Sequence, residues 1–235
     1  MRTQQKPAGT PISGLLKQVV FKMAAGMAML ALLLFLPAGT LSWGPGWLYL
    51  LFFSAWAFCS VYLLGLRSPE LLLRRFTRVA PVAEPWDKIF SVVFTPLIAL
   101  VVIVSSARSE TAAEGFSYVT SFFGFAGVAF AYVLLTLSLL NNDFAVPNVV
   151  LQAGQKPAEG GPYSVVRHPM YLASICLFCC TPSALGSFAG LVPAVILTAA
   201  VLLRTYKEDC FLLKNLPGYA AYAARVRYRL VPGVW

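Results

Sequence analysis

Charge disappears from this sequence for long stretches, and no other feature restricts its fold so tightly. Lysine, arginine, aspartate and glutamate are absent from Met23–Leu41, from Ala55–Leu66 (and back to Leu41), from Ile89–Ala107, from Gly115–Leu140 and from Pro169–Leu203. A helix crossing a bilayer core needs about 20 mainly apolar residues, and these runs supply them repeatedly. Composition agrees: 59% of residues are hydrophobic, 11% are charged and the mean hydropathy is +0.74. An ordinary soluble domain carries about 25% charged residues. The expected class is all-α, a polytopic membrane helical bundle.

The first run follows a basic start, as in a cleaved leader. Pro37-Ala38-Gly39-Thr40 is nevertheless a poor small-x-small cleavage site, and the run exceeds a usual signal core. It is therefore expected to stay as a membrane helix. As one helix the last run would extend about 50 Å at 1.5 Å per residue, too far for a single span. Pro182, Ser183 and Gly186 near its middle are breakers. They predict a tight hairpin of Met170–Cys180 and about Ala184–Leu203, its two arms packed on each other. Four ordinary helices and this pair make about six membrane segments. The chain divides accordingly: 1–140 as four amino-terminal spans, and 141–235 as a loop, the hairpin and a basic tail.

Basic residues alternate between rich and poor connections. Arg2, Lys6, Lys17 and Lys22 precede the first run, and Ser42–Gly46 has none. Arg67, Arg74, Arg75, Arg78 and Lys88 fill the second connection, and Arg108 stands alone in the third. Lys156 and Arg167 lie in the fourth, followed by Arg204, Lys207, Lys214, Arg225, Arg227 and Arg229 in the tail. By the positive-inside rule both termini and the 161–169 segment are expected in the cytoplasm. The net charge of +9 then belongs to one membrane face, where anionic headgroups account for it. No aromatic-interleaved basic surface of the nucleic-acid-binding kind is present. Of the five cysteines, Cys59, Cys176, Cys179 and Cys180 lie in apolar runs and behave as small hydrophobes. Cys176-x-x-Cys179 lacks a second ligand pair, so no metal is expected.

The polar segments are Arg67–Lys88 (with a helical turn at Pro69–Phe76), Asn141–His168 and Arg204–Trp235. The last two flank the hairpin and should emerge close together. In GPYSVVRHPMYL, residues 161–172, the chain's single histidine sits between Arg167 and Pro169. Proline suits the first helical position, which puts His168 at the cap in an extended conformation. The following N–H groups and helix dipole favour an anion, reinforced by Arg167. Equally, Arg167 can reach headgroups while His168 merely caps. Past the hairpin, Arg204 and Glu208 share one helix face. They can form an intrahelical ion pair of the weaker Arg-before-Glu order, Arg204 can act as a positive anchor, or the two can hold a substrate carboxylate and a ligand ammonium. Spacing alone does not choose.

The ordered set does more. GPYSVVRHPMY, a hydrophobic hairpin, R-x-x-x-E-D, Gly218-Tyr219-x-x-Tyr222 and Arg229-Leu230-Val231-Pro232 resemble the isoprenylcysteine carboxyl methyltransferase family over about residues 141–235. Members are integral membrane enzymes using S-adenosylmethionine, and this chain is similar to the short bacterial-style ones, which implies a bacterial inner membrane. The resemblance implies a cytoplasmic cofactor pocket formed by Gln152, the loop Gln155, Lys156, Pro157 and Ala158, the turn Tyr163, the element His168, Pro169, Met170 and Tyr171, and Glu208. With the anion-favouring helix start, Arg167 and His168 are then expected to hold the cofactor's carboxylate and Glu208 its ammonium. It implies that Arg204 faces the methyl acceptor and orients its carboxylate. Two features depart from the pattern: many relatives have histidine where Gln155 stands, and the acidic pair is Glu208-Asp209 here.

The implied reaction is methyl transfer to a membrane-embedded acceptor, a prenylcysteine-like or other lipophilic carboxylic acid. Such a carboxylate needs no general base, which suits a chain without a second histidine. The partners are a lipophilic or lipidated acceptor and membrane lipids. A phospholipid or other small hydrophobic acceptor is the alternative. A non-catalytic membrane protein or small transporter is a further one, although mid-membrane ionisable residues of the transporter kind are absent from the uncharged runs.

Overall fold

A computed structural model describes residues 12–76, 84–107 and 118–235, with side chains from residue 17 onward. Arg2, Lys6, Arg78 and Arg108, used above for orientation, lie outside the described residues. Among those described there are helices and no strand: α1 (Ile12–Ala38), α2 (Gly44–Arg67), α3 (Pro69–Phe76), α4 (Pro85–Ala107), α5 (Tyr118–Leu140), a 3-10 turn at Gly161–Ser164, α6 (Pro169–Leu185), α7 (Leu191–Asn215) and α8 (Tyr219–Arg225). Within the described residues four helices are long and apolar enough to cross a membrane: Lys17–Ala38, Gly44–Arg67, Pro85–Ala107 and Tyr118–Leu140. α6 is apolar but shorter. Large side chains such as Phe21, Leu36, Val92 and Phe122 stand 68–78% exposed on these helices. An apolar exterior on this scale belongs in lipid. The chain is an integral membrane protein.

Four hydroxyl groups within the helices are satisfied locally. Ser105, Ser106, Ser138 and Thr205 each donate to the carbonyl four residues earlier, which removes the cost of an unpaired donor in an apolar setting. Between helices, Tyr49 and Thr181 share a buried 2.7 Å hydrogen bond, and the Trp56 and Tyr132 rings stack at 4.7 Å. The core they belong to joins α1, α2, α4, α5 and α6 around Leu34, Phe125, Val128 and Leu185.

The closing pair of helices differs from the sequence expectation in where it breaks. α6 continues through Pro182 to Leu185, and the reversal comes at Gly186. There φ is +82°, a left-handed conformation that costs glycine nothing. Gly186 and Ser187 donate back to the carbonyls of Ser183 and Pro182 at 3.3 and 2.9 Å, closing the last turn. The second arm starts at Leu191 and runs well beyond Leu203, so the polar stretch Arg204–Asn215 continues the same rigid helix. α6 does pack on α7, yet its more extensive partner is α5. Gly124 and Gly127 explain that: a Cβ at either position would collide with the α6 backbone at Ser183–Ala184 or with Cys180. Small residues let helix backbones approach closely in membranes.

One end of this bundle gathers the polar parts. α2 and α5 end there, α4 and α6 begin there, and the polar half of α7 extends from it. α3 lies alongside, held by Lys22 Nζ on the Phe76 carbonyl at 2.5 Å and by Leu71 and Leu72 packed with Leu64, Leu139 and Ala145.

Candidate functional site

At that end a cavity opens, lined by three separate pieces of chain. The loop after α5 contributes Asn142, Val149, Gln155, Lys156, Pro157 and Ala158. The 3-10 turn and the start of α6 contribute Tyr163, Arg167, His168, Met170 and Tyr171, and α7 and α8 contribute Arg204, Glu208, Leu212, Tyr219 and Tyr222. Its atom-free space is about 830 Å³ with the open mouth included. Of the residues singled out from sequence, Gln152 and Pro169 do not line it. Gln152 is a tie: its Nε2 donates to the Phe144 carbonyl at 2.8 Å, and its Oε1 accepts from Arg74 on α3 at 3.1 Å. Gln155 bends back so that its Oε1 accepts the Gln152 N–H at 2.9 Å. Pro169 is the first residue of α6.

His168 is the cap residue, with φ −127° and ψ 59°, but its side chain makes no capping bond. Its ring turns instead toward Asp209, Nε2 lying 3.1 Å from Oδ1. Asp209 is fully buried and serves as the centre of this wall. Arg167 grips it with two bonds, Nε to Oδ1 and Nη2 to Oδ2, both 2.9 Å. The Tyr219 hydroxyl donates at 2.9 Å and Arg229 Nε at 2.8 Å. A carboxylate surrounded by a bidentate guanidinium and further donors is the strong form of such a contact. Burial alone would raise the Asp209 carboxyl, but the bonds from His168 and Arg167, with Arg229, hold it well below the usual carboxylate range. Tyr219 moves the other way, raised by burial and then by the Asp209 charge.

The remaining guanidinium nitrogen of Arg167, Nη1, donates to the carbonyls of Val226 and Arg227 at 3.0 Å each. Backbone pairing continues the join, with Arg167 N–H on Tyr228 O and His168 N–H on Arg229 O, both 2.9 Å. Arg167 is thus committed to the protein's own 209 and 226–229 positions. The side chain closes the tail against the start of α6 and at the same time lines the cavity. Tyr163 belongs to the same wall. Its hydroxyl accepts from Asn142, its carbonyl accepts the Tyr222 hydroxyl at 2.7 Å, and burial pushes its phenol up to about 12.

Arg204 has a different setting. Its Nη2 donates to the Pro147 carbonyl at 2.7 Å and stands 2.8 Å from Asp87 Oδ1. The Asp87 contact is a coulombic pair off the hydrogen-bond line, since that oxygen has no hydrogen-bond partner. Phe90 lies 4.4 Å from the guanidinium carbon and Tyr171 5.7 Å, on cation–π geometry. Nε is buried without a partner. No ion pair joins Arg204 to Glu208 among the described residues, so the intrahelical reading of their spacing does not hold. Glu208 instead accepts the Tyr171 hydroxyl. No described carboxylate pairs with Lys156 either.

The residues that sequence reasoning passed over are Asp87, Asp209 and Tyr219. Asp87 reads locally as an ordinary first-turn acid, and Asp209 as the neighbour of Glu208. Only the quoted Gly218-Tyr219-x-x-Tyr222 element carried a signal for the tyrosine.

A family model described as phospholipid methyltransferase matches residues 119–217, from the start of α5 through the end of α7. No match was found among curated proteins.

Proposed function

Because the chain belongs to the isoprenylcysteine carboxyl methyltransferase-type family of membrane methyltransferases, we propose that this cavity binds S-adenosylmethionine and serves methyl transfer to a lipophilic acceptor. The supporting observation is that one cavity combines Glu208, Lys156 and an apolar wall of Pro157, Leu212 and Leu216. That lining fits a zwitterion attached to an adenosine. Glu208 receives the ammonium, Lys156 the carboxylate, and Gln155, Ala158 and Tyr163 enclose the remainder. His168 is held by Asp209 through Nε2, leaving Nδ1 as its remaining polar atom, and Tyr171 beside it offers a ring face to positive charge. When bound, the cofactor supplies an electrophilic methyl group whose bonding pair stays on sulfur as the methyl leaves.

Arg204 orients the acceptor. Its Nε has no protein partner, so the side chain retains a donor for an oxyanion while Asp87 and Pro147 hold its Nη2. A carboxylate attacks without losing a proton, so positioning is what the chain must supply. The acceptor read here is a prenylcysteine-like or other lipophilic carboxylic acid. A phospholipid headgroup is the second reading. Two observations favour it: the description of the matching family and Asp87, which already balances the charge of Arg204. In either case residues 141–235 form most of the site, 1–140 the membrane scaffold, and the basic residues favour a cytoplasmic site and termini.

The test is binding of radiolabelled S-adenosylmethionine to the detergent-purified chain, then transfer assays with prenylcysteine analogues and with phosphatidylethanolamine vesicles. Saturable binding is expected, weakened at least about tenfold by Glu208→Gln, equal to about 1.4 kcal/mol. Equal binding by parent and variant would remove Glu208 from the site. Transfer to vesicles alone would select the phospholipid reading.

A further inference from the structure

Opposite charges four residues apart on a helix ordinarily meet, and Arg204 and Glu208 have that spacing on α7. They stay apart because Arg204 is drawn to Asp87 in the first turn of α4, at 2.8 Å. Asp87 is fully buried and is fixed by the Val149 N–H, 2.7 Å from its Oδ2. The Pro147 carbonyl and the Phe90 ring complete the seat of the guanidinium. Glu208, relieved of Arg204, takes the Tyr171 hydroxyl and lines the cavity. Asp87 itself lies outside the stretch that matches the methyltransferase family and does not line the cavity.

We propose that Asp87 is a positioning residue: by holding Arg204 it keeps Glu208 available to the methyl donor's ammonium and separates the donor and acceptor ends of the site. This inference rests on the donor-binding reading above. A buried guanidinium stripped of its counterion is strongly unfavourable. Without Asp87, the nearest remedy is Glu208, one turn along the same helix face. Arg204 then neutralises the group that the donor needs, and one lost contact disables both ends.

Three versions of the whole 235-residue chain in detergent test it by binding of radiolabelled S-adenosylmethionine: the parent, Asp87→Asn and the double variant Asp87→Asn/Arg204→Gln. Asparagine keeps an oxygen for the Val149 N–H and nearly the same volume. Donor binding by Asp87→Asn is expected to weaken about tenfold, and the double variant to return to within about threefold of the parent. Methyl transfer stays lost in the double variant, because the acceptor end lacks its arginine. Binding by Asp87→Asn equal to the parent overturns the proposal. So does a double variant as weak as the single one, since Asp87 would then act through the Val149 loop and not through Arg204. Should the asparagine variant not fold, Asp87→Ser with and without Arg204→Gln reads the same rescue. A parent that fails to bind the donor overturns the site reading and this inference together, whereas a binding parent beside an indifferent Asp87→Asn overturns this inference alone.

Discussion

Arg167 and Arg204 line the same cavity, are each 8% exposed, and each have a fully buried aspartate as partner. Their wiring separates them. Arg167 has every guanidinium nitrogen engaged by Asp209, Val226 or Arg227. Arg204 makes its contacts through Nη2 and keeps an unpartnered Nε. Burying a charged donor without a partner is costly, so a saturated arginine marks a strut and an under-coordinated one marks a place for a ligand. Identical residue types in one pocket thereby acquire different duties.

Removing the centre of the strut should have the largest effect. Asp209→Ala leaves Arg167, Arg229 and Tyr219 without their shared acceptor and is expected to cost about 3–5 kcal/mol of stability, measured by denaturation in detergent. A loss no greater than that of an exposed charge would erase the contrast. Acid reaches the same centre without substitution. Because the folded carboxyl is held below its ordinary range, the unfolded chain takes up the proton first. The stabilisation is complete above about pH 4, the unfolded value, and is lost as pH falls from there through the folded value. Unfolding midpoints should be insensitive to Asp209→Asn substitution only at the acid end of that window.

Arg167→Lys and Arg204→Lys sharpen the distinction directly. Lysine cannot reproduce the two-pronged grip on Asp209, so the first should lose about 1.5–3 kcal/mol of stability. The second keeps a cation near Asp87 and should change stability by less than about 1 kcal/mol, yet raise the acceptor KM about tenfold because the planar donor edge is gone. An unchanged KM removes Arg204 from acceptor recognition. The smallest effect belongs to the outer rim, where Arg225 and Glu159 pair with side chains 62% and 52% exposed. Glu159→Gln is expected to change stability by less than about 1 kcal/mol.

Much of the scaffold was legible beforehand. The uncharged runs mark α1, α2, α4 and α5, and the turn at Pro69–Phe76 coincides with α3. Pro182 misled because a breaker was weighed only by local propensity. In the bundle, close packing of α6 on Gly124 and Gly127 keeps the helix going until Gly186 can take up a positive φ. The site was legible as a neighbourhood: the loop at 155–158, the start of α6 and the stretch after Leu203 meet at one cavity. Its internal pairing was not. Helical spacing ranks Glu208 as the partner of Arg204, and nothing near Asp87 in the chain points to α7.

Hydropathy read along the chain is a local sum, since each side chain's transfer into lipid depends chiefly on its own chemistry. It could therefore mark the four long apolar helices and their approximate limits, though not which of the six expected segments are long enough to span. Charge pairing in a buried site follows another rule. The carboxylate that arrives closest and is best fixed wins, and here those are Asp87 delivered by α4 and Asp209 enclosed by Arg167, His168, Tyr219 and Arg229. Which arginine became a strut and which kept a donor to spare was decided by that packing, because desolvation penalises every partner left out of reach.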